Sequence, residues 1–238
     1  MISQLYEIIN NIQNETKDKM NNNKEGLKKE LEEQKKEINN LKKEIAKLND
    51  INKFRELCEF DYSIIQNIKE IDLIKSAIEQ RLGTKIKYFK KLYIATKDGE
   101  SASTFHKLCD NQENNISLVK TGGKRRFGGF TTQTWNQVSS YTKTDQHAFV
   151  FSLDKLKIYP YTNNGRAIRC DNNYLPTFGV GTCDFRLYNN PISGKNLYTN
   201  QTSGDRSYNY YGDGNALSED GNGNCISTNE IEVYQALI

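Results

Sequence analysis

Before Lys91 the chain has only two glycines, Gly26 and Gly83, with no proline and no tryptophan. Fourteen of its sixteen glycines, all three prolines and the single tryptophan come later. So long a stretch with so few turn formers sets the first part apart from the rest, and the 238 residues divide into an extension and a domain. No window approaches the ~20 consecutive apolar residues of a membrane span. The opening MISQLYEIINNIQNE has neither a basic start nor an uninterrupted apolar run, so neither a signal peptide nor membrane insertion is expected. The five cysteines, Cys58, Cys109, Cys170, Cys183 and Cys225, are an odd number with no C-x-x-C among them. Neither a disulfide framework nor a zinc knuckle is indicated, and buried free thiols in a reducing, cytoplasmic setting are expected. The charge is sparse in the domain: residues 1–91 sum to +3 and residues 92–238 to zero. A neutral domain gives no electrostatic case for nucleic acid, and no nucleic-acid partner is expected.

What is present begins with helices. Ile2, Leu5, Ile9 and Ile12 recur at helical spacing, predicting a short amphipathic helix over 1–23 that ends in the polar break Asn21, Asn22, Asn23. From 24 to 60 a heptad seam is expected, with Leu31, Ile38 and Ile45 at a and Gln34, Leu41 and Leu48 at d. Ile at a with Leu at d favours a parallel two-stranded coiled coil, so self-association is expected. The step from Leu48 to Ile51 breaks that register. After Asp61 a helical lead-in over 61–90 is expected to pack on the domain: Asn67 with Glu70 resembles a capping box, and Ile68, Ile71, Ile74, Ile78 and Leu82 make one apolar face ending at Gly83.

From 91 to 238 the period changes to strands and turns. Strands are expected at Leu92–Ala95, Ile116–Lys120, Phe127–Thr131, Ala148–Leu153, Lys157–Tyr161, Ala167–Cys170, Asp184–Tyr188 and Glu230–Leu237, with a helix capped by Ser101. Strands in that number with few helices imply a mainly β, α+β fold, a two-sheet antiparallel sandwich. Asn190–Asn224, rich in Gly, Asn, Ser and Tyr, reads as a long surface loop. Phe127 to Trp135 reads as the centre of the core. The pair Gly128-Gly129 inside an aromatic and β-branched run implies that another segment passes close over it.

Candidate chemistry is thin. Asp98, Ser101 and His106 lie near one another in sequence, but there is no G-x-S-x-G elbow, and capping by Ser101 with packing of His106 accounts for them. His106 and Cys109 at i, i+3 would give a metal only two ligands, and His147 is the one other histidine. Gly122-Gly123-Lys124 lacks the first glycine and the Ser/Thr of a phosphate loop, so Lys124, Arg125 and Arg126 read as a solvated hairpin tip. Asp213–Asn224 fails as a calcium loop in either frame. No cofactor is expected.

Several separated motifs nevertheless occur in one order: KDGESASTFHKLCD, SLVKT, RRFGGFTTQTW, HAFVFSL, IRCDNNYLPTFGVG and NEIEVYQAL. In that order and spacing the chain, from about Lys91 to Ile238, resembles the TLDc domain, and with its helical start it is similar to protist members that place a coiled coil ahead of the domain. Asp98, Gly99, Ser101, Phe105, His106 and Cys109 carry the first motif, and Phe127, Gly128, Gly129 and Trp135 the third. Phe178, Gly179 and Gly181 follow, then Glu230 and Glu232. One departure is visible, since the family commonly runs Phe-Gly-Gly-Gly where this chain has Val180 third; valine narrows the backbone freedom of that turn. The resemblance implies a β-sandwich and a non-enzymatic regulatory module linked to oxidation resistance. It also implies binding to the vacuolar proton-pumping ATPase. The alternative is an enzyme of unknown reaction using polar residues around Asp98–Asp110.

Overall fold

The computed structural model describes residues 2–57, 63–179, 184–200, 206–217 and 222–238. The chain forms two compact units, one up to Lys53 and the other from Phe54 to Ile238. The first is helical: α1 (Ile2–Leu57) runs without interruption through Asn21–Asn23, where the sequence predicts a break. Asparagine costs no more than about 0.7 kcal/mol per helical position, too little to stop a helix that contains no proline. No helix among the described residues is long and apolar enough to cross a membrane.

The second unit starts with α2 (Ile68–Leu82). Asn67 stands at its N-cap, its side chain accepting from the Glu70 N–H at 3.2 Å. Glu70 in return accepts from the Asn67 amide at 2.8 Å and from the Gln66 N–H at 2.7 Å, so the box closes one residue further back than the usual form. Gly83 ends the helix in the left-handed region, φ 66°, with its N–H on the Glu79 carbonyl.

Then come β1 (Tyr88–Ile94), α3 (Ala95–Asp98), α4 (Ala102–Cys109), β2 (Asn115–Thr121), β3 (Arg126–Thr131), β4 (Tyr141–Lys143), β5 (Phe149–Ser152) and β6 (Lys157–Pro160). They are followed by β7 (Ile168–Cys170), β8 (Tyr174–Phe178), β9 (Phe185–Tyr188), β10 (Leu197–Asn200), β11 (Asn222–Ile226) and β12 (Thr228–Leu237). Two antiparallel six-stranded sheets result, β1-β12-β2-β3-β5-β6 and β11-β10-β9-β8-β7-β4. The mainly β sandwich with few helices is therefore the architecture.

Strand alternation sorts the core into two layers. Val119, Phe127, Val150 and Ile231 share one buried cluster with Phe178, Phe185 and Leu187 of the second sheet. The opposite face of the first sheet, with Leu118, Phe130 and Phe151, packs with Ile71, Ile74 and Ile78 of α2. The domain thus has three layers: helix, sheet, sheet.

Several expectations need correction. Lys91 falls inside β1, not at a domain edge; lysines at 87, 90 and 91 hide the alternation of a strand at the sheet margin, where such charges discourage edge pairing. Asn190–Asn224 is not a surface loop. Its described residues include β10 and the start of β11, and Tyr208, Tyr210, Ala216 and Leu217 are buried in the core. By contrast, β3 ends at Thr131 as expected, and Trp135 is buried in the core as expected, reaching it from a loop tied by an isolated parallel bridge to Asp110. Arg126 is not a solvated tip: its guanidinium lies 2.9 Å from Glu70 and 3.0 Å from Asp154, joining the cap of α2 to β3.

Candidate functional site

The motif from Lys97 to Asp110 is built around two short helices between β1 and β2. Asp98 turns its carboxylate back on the Ile94 N–H at 2.7 Å, closing the first turn of α3. Gly99 follows at φ 107°, a conformation that side chains resist, and its carbonyl accepts from the Tyr93 hydroxyl at 2.9 Å. Ser101 caps α4, its hydroxyl accepting from the Thr104 N–H at 3.1 Å. Phe105 enters the core edge-on to Tyr93 and Trp135.

His106 is buried, with one ring nitrogen 2.7 Å from the Asp110 carboxylate and the other 3.0 Å from the Asp171 carbonyl. Both nitrogens are engaged, and the imidazole braces α4 against the segment after β7. Neither nitrogen is left for a proton relay or a metal. Cys109 is a buried free thiol, pushed well above the usual thiol range by burial, with Asp110 adding to the shift. A thiol so placed is neither a ready nucleophile nor a ready metal ligand. Asp98, Ser101 and His106 are thus each spent on a cap or a brace. Among the described residues, no three His, Cys, Asp or Glu side chains converge as a metal would need.

The other motif residues are also structural in their contacts. Glu230 accepts from the Thr96 N–H at 3.1 Å, from the Ile231 N–H at 3.0 Å and from the Thr96 hydroxyl, fixing α3 on β12. Glu232, fully buried, accepts from the Tyr234 hydroxyl at 2.9 Å and from the Ser63 hydroxyl, holding the chain that leads into α2. Phe127 stacks edge-on to Phe185. Trp135, 1% exposed, lies edge-on to Phe105 and Phe178.

The glycine pair is crowded on both faces. A Cβ on Gly129 would lie 2.5 Å from the Phe178 ring, and one on Gly128 would lie 2.1 Å from the Ser117 carbonyl and 2.6 Å from Phe151. What crosses Gly129 is therefore an aromatic ring from the other sheet, not a backbone segment. Gly179, φ 79°, leaves room for Asp184, whose carboxylate oxygen would sit 2.0 Å from a Cβ there. Val180 and Gly181 lie outside the described residues, as do Cys58 and Cys183.

Sequence reading missed the polar cluster around Asp184. This buried carboxyl is pushed up to about 7 by desolvation, opposed by the Ser207 N–H donating at 3.1 Å and by the nearby Tyr210 phenol. Among the described residues its second oxygen closes no hydrogen bond of normal geometry. Tyr208 donates to the Ala167 carbonyl at 2.7 Å. The available signal was the alternation of Tyr208 and Tyr210 inside an Asn- and Gly-rich run. Asp213, at the head of the segment that fails as a calcium loop, accepts from Tyr159 at 2.9 Å and pairs with Lys155. Burial raises its carboxyl, but those two donors outweigh it and hold the group below the usual range.

A model of the TLDc domain matches residues 59–236. The chain belongs to the TLDc family. The match opens before α2, so the helix that covers the first sheet is part of the TLDc domain. No curated protein matches the chain.

The helical unit carries the other candidate surface. Leu31, Ile38, Leu41, Ile45 and Leu48 are each half exposed or more along one face of α1. With Gln34 between the first two, they follow alternate steps of three and four and form a largely apolar stripe that faces water in a single chain.

Proposed function

We propose that this TLDc protein is a non-enzymatic regulatory binding module, held as a parallel dimer by the α1 seam. Its partner is the vacuolar proton-pumping ATPase and its role is in resistance to oxidative damage. The family match carries the reading of the domain, and the half-exposed stripe Leu31 to Leu48 supports the dimer. The motif side chains Asp98, Ser101, His106, Glu230 and Glu232 then serve as scaffold for the binding surface. The enzyme alternative loses its candidate residues to caps and braces.

The test is capture of partners from the source cell on the full-length protein, followed by mass spectrometry and by reconstitution with the purified proton pump. Recovery of cytosolic-sector subunits and direct binding support the proposal. Reproducible absence of pump subunits, together with no binding to the purified pump, refutes the partner.

A further inference from the structure

We infer that the charges flanking the α1 seam select a second copy of this chain in parallel, in-register orientation; the inference rests on the self-association proposed above. With Leu31, Ile38 and Ile45 at a, and Leu27, Gln34, Leu41 and Leu48 at d, the three g positions are Glu30, Glu37 and Glu44. The e positions are Lys28, Lys35 and Lys42. All six side chains are exposed on a continuous helix. One flank of the stripe is therefore acidic and the other basic, a segregation that a solitary solvated helix does not require.

In a parallel pair each g position faces the e position of the following heptad on the other helix. Glu30 then meets Lys35 of the second copy and Glu37 meets Lys42, on both sides of the seam. In an antiparallel pair g faces g and e faces e, setting glutamate against glutamate and lysine against lysine. The same sequence thus attracts itself in one orientation and repels itself in the other. Lys35 already pairs with Glu32 of its own helix at 2.7 Å, but both are more than half exposed, and an ammonium has donors to spare for a second carboxylate.

Gln34 adds register to orientation. It is the one polar d position between Leu27 and Leu48. In register it faces its own copy and the two amides can hydrogen-bond, whereas a slip by one heptad would set each amide against leucine. Since both chains run the same way, both TLDc domains follow the same end of the coil.

The experiment measures self-association of the full-length protein by sedimentation at low and high salt, with circular dichroism confirming helix content. Two variants carry it, K35E/K42E and E30K/E37K. Turning four exposed pairs from attractive to repulsive predicts a roughly tenfold or greater loss of affinity in each variant alone. An equimolar mixture restores wild-type affinity as a heterodimer, and the wild-type dimer weakens as salt rises. Variants that dimerise as tightly as wild type, with a dimer indifferent to or strengthened by salt, overturn the charge code while leaving self-association standing. A monomeric wild type at tens of micromolar overturns both.

Discussion

Alanine at Gly129 should destabilise the TLDc domain, and the structure says by what route. The added Cβ would stand 2.5–2.8 Å from three atoms of the Phe178 ring. That ring is not free to swing away: it stacks on Phe185 at 4.9 Å, meets Trp135 at 5.7 Å and Tyr208 at 6.2 Å, and is fully buried. Overpacking of this kind costs ~1–3 kcal/mol, while the entropy lost from the unfolded chain returns only ~0.4–1 kcal/mol. The net is a loss of about 1–2 kcal/mol. Gly128→Ala meets the Ser117 carbonyl of the neighbouring strand, which cannot rotate out of the way, so its loss should be larger. The assay is urea unfolding followed by fluorescence of Trp135, the only tryptophan, which reports the sandwich and not α1. Phe178→Leu should partly rescue Gly129→Ala and leave Gly128→Ala unrescued, because only the first clash is with that ring. If both glycine substitutions raise the midpoint, the close-packing argument is wrong.

Trp135→Ala should cost ~3–5 kcal/mol by emptying the space between Phe105 and Phe178; a melting temperature equal to wild type would count against that burial. Asp184 holds its proton in the folded state up to about pH 7, against 3.8 for the free group. Folding therefore takes up a proton between about pH 4 and 7, and stability falls as pH rises through that window, by up to about 4 kcal/mol from this group. Asp184→Asn should remove that slope, and identical pH–stability profiles for the two proteins would refute the assignment. Ile45→Asp, which places a charge in the proposed seam, should give monomers by light scattering while the Trp135 unfolding curve stays unchanged. A dimer that survives the substitution would place the interface elsewhere.

What could be read from sequence was whatever had a local cause. The period of Ile71, Ile74 and Ile78, the Asn67 cap and the Gly83 stop are all written within α2 itself. The β2–β3 hairpin shows the same economy, apolar strands on either side of a glycine-containing turn. The failures have non-local causes. Pro176 sits inside β8, where a missing N–H argues against a strand, and the β8–β9 register shifts between Tyr174 and Thr177 across that position. β11 is rich in Asn and Gly and β10 is only four residues long; β10 is held by pairing with both β9 and β11. The alternation of Tyr208 and Tyr210 is visible in the sequence, but what encloses them is set only by the two sheets. The candidate triad was resolved only by geometry, because Asp171, which accepts from His106, lies 65 residues further along the chain.

The motif side chains and the proposed seam lie in separate compact units, and that decides how variants must be read. His106, Glu230 and Glu232 each complete hydrogen bonds within the domain, and removing a buried acceptor or donor leaves its partner unsatisfied at ~1–3 kcal/mol. Loss of binding on substituting them would first reflect a smaller folded population, since ~1–2 kcal/mol can change abundance several-fold in a cell. Binding must therefore be expressed per folded domain, with the Trp135 signal as the measure. The proposed seam should behave oppositely: Ile45 belongs to a separate compact unit, so its substitution is expected to leave each domain as it was and to change only valency. On a partner offering repeated sites, the second domain of a parallel dimer binds at an effective concentration on the order of millimolar. Ile45→Asp would then weaken binding far more than the halving expected from counting domains. On a partner with one site the same substitution would leave per-domain affinity unchanged, and the dimer would have to serve something other than avidity.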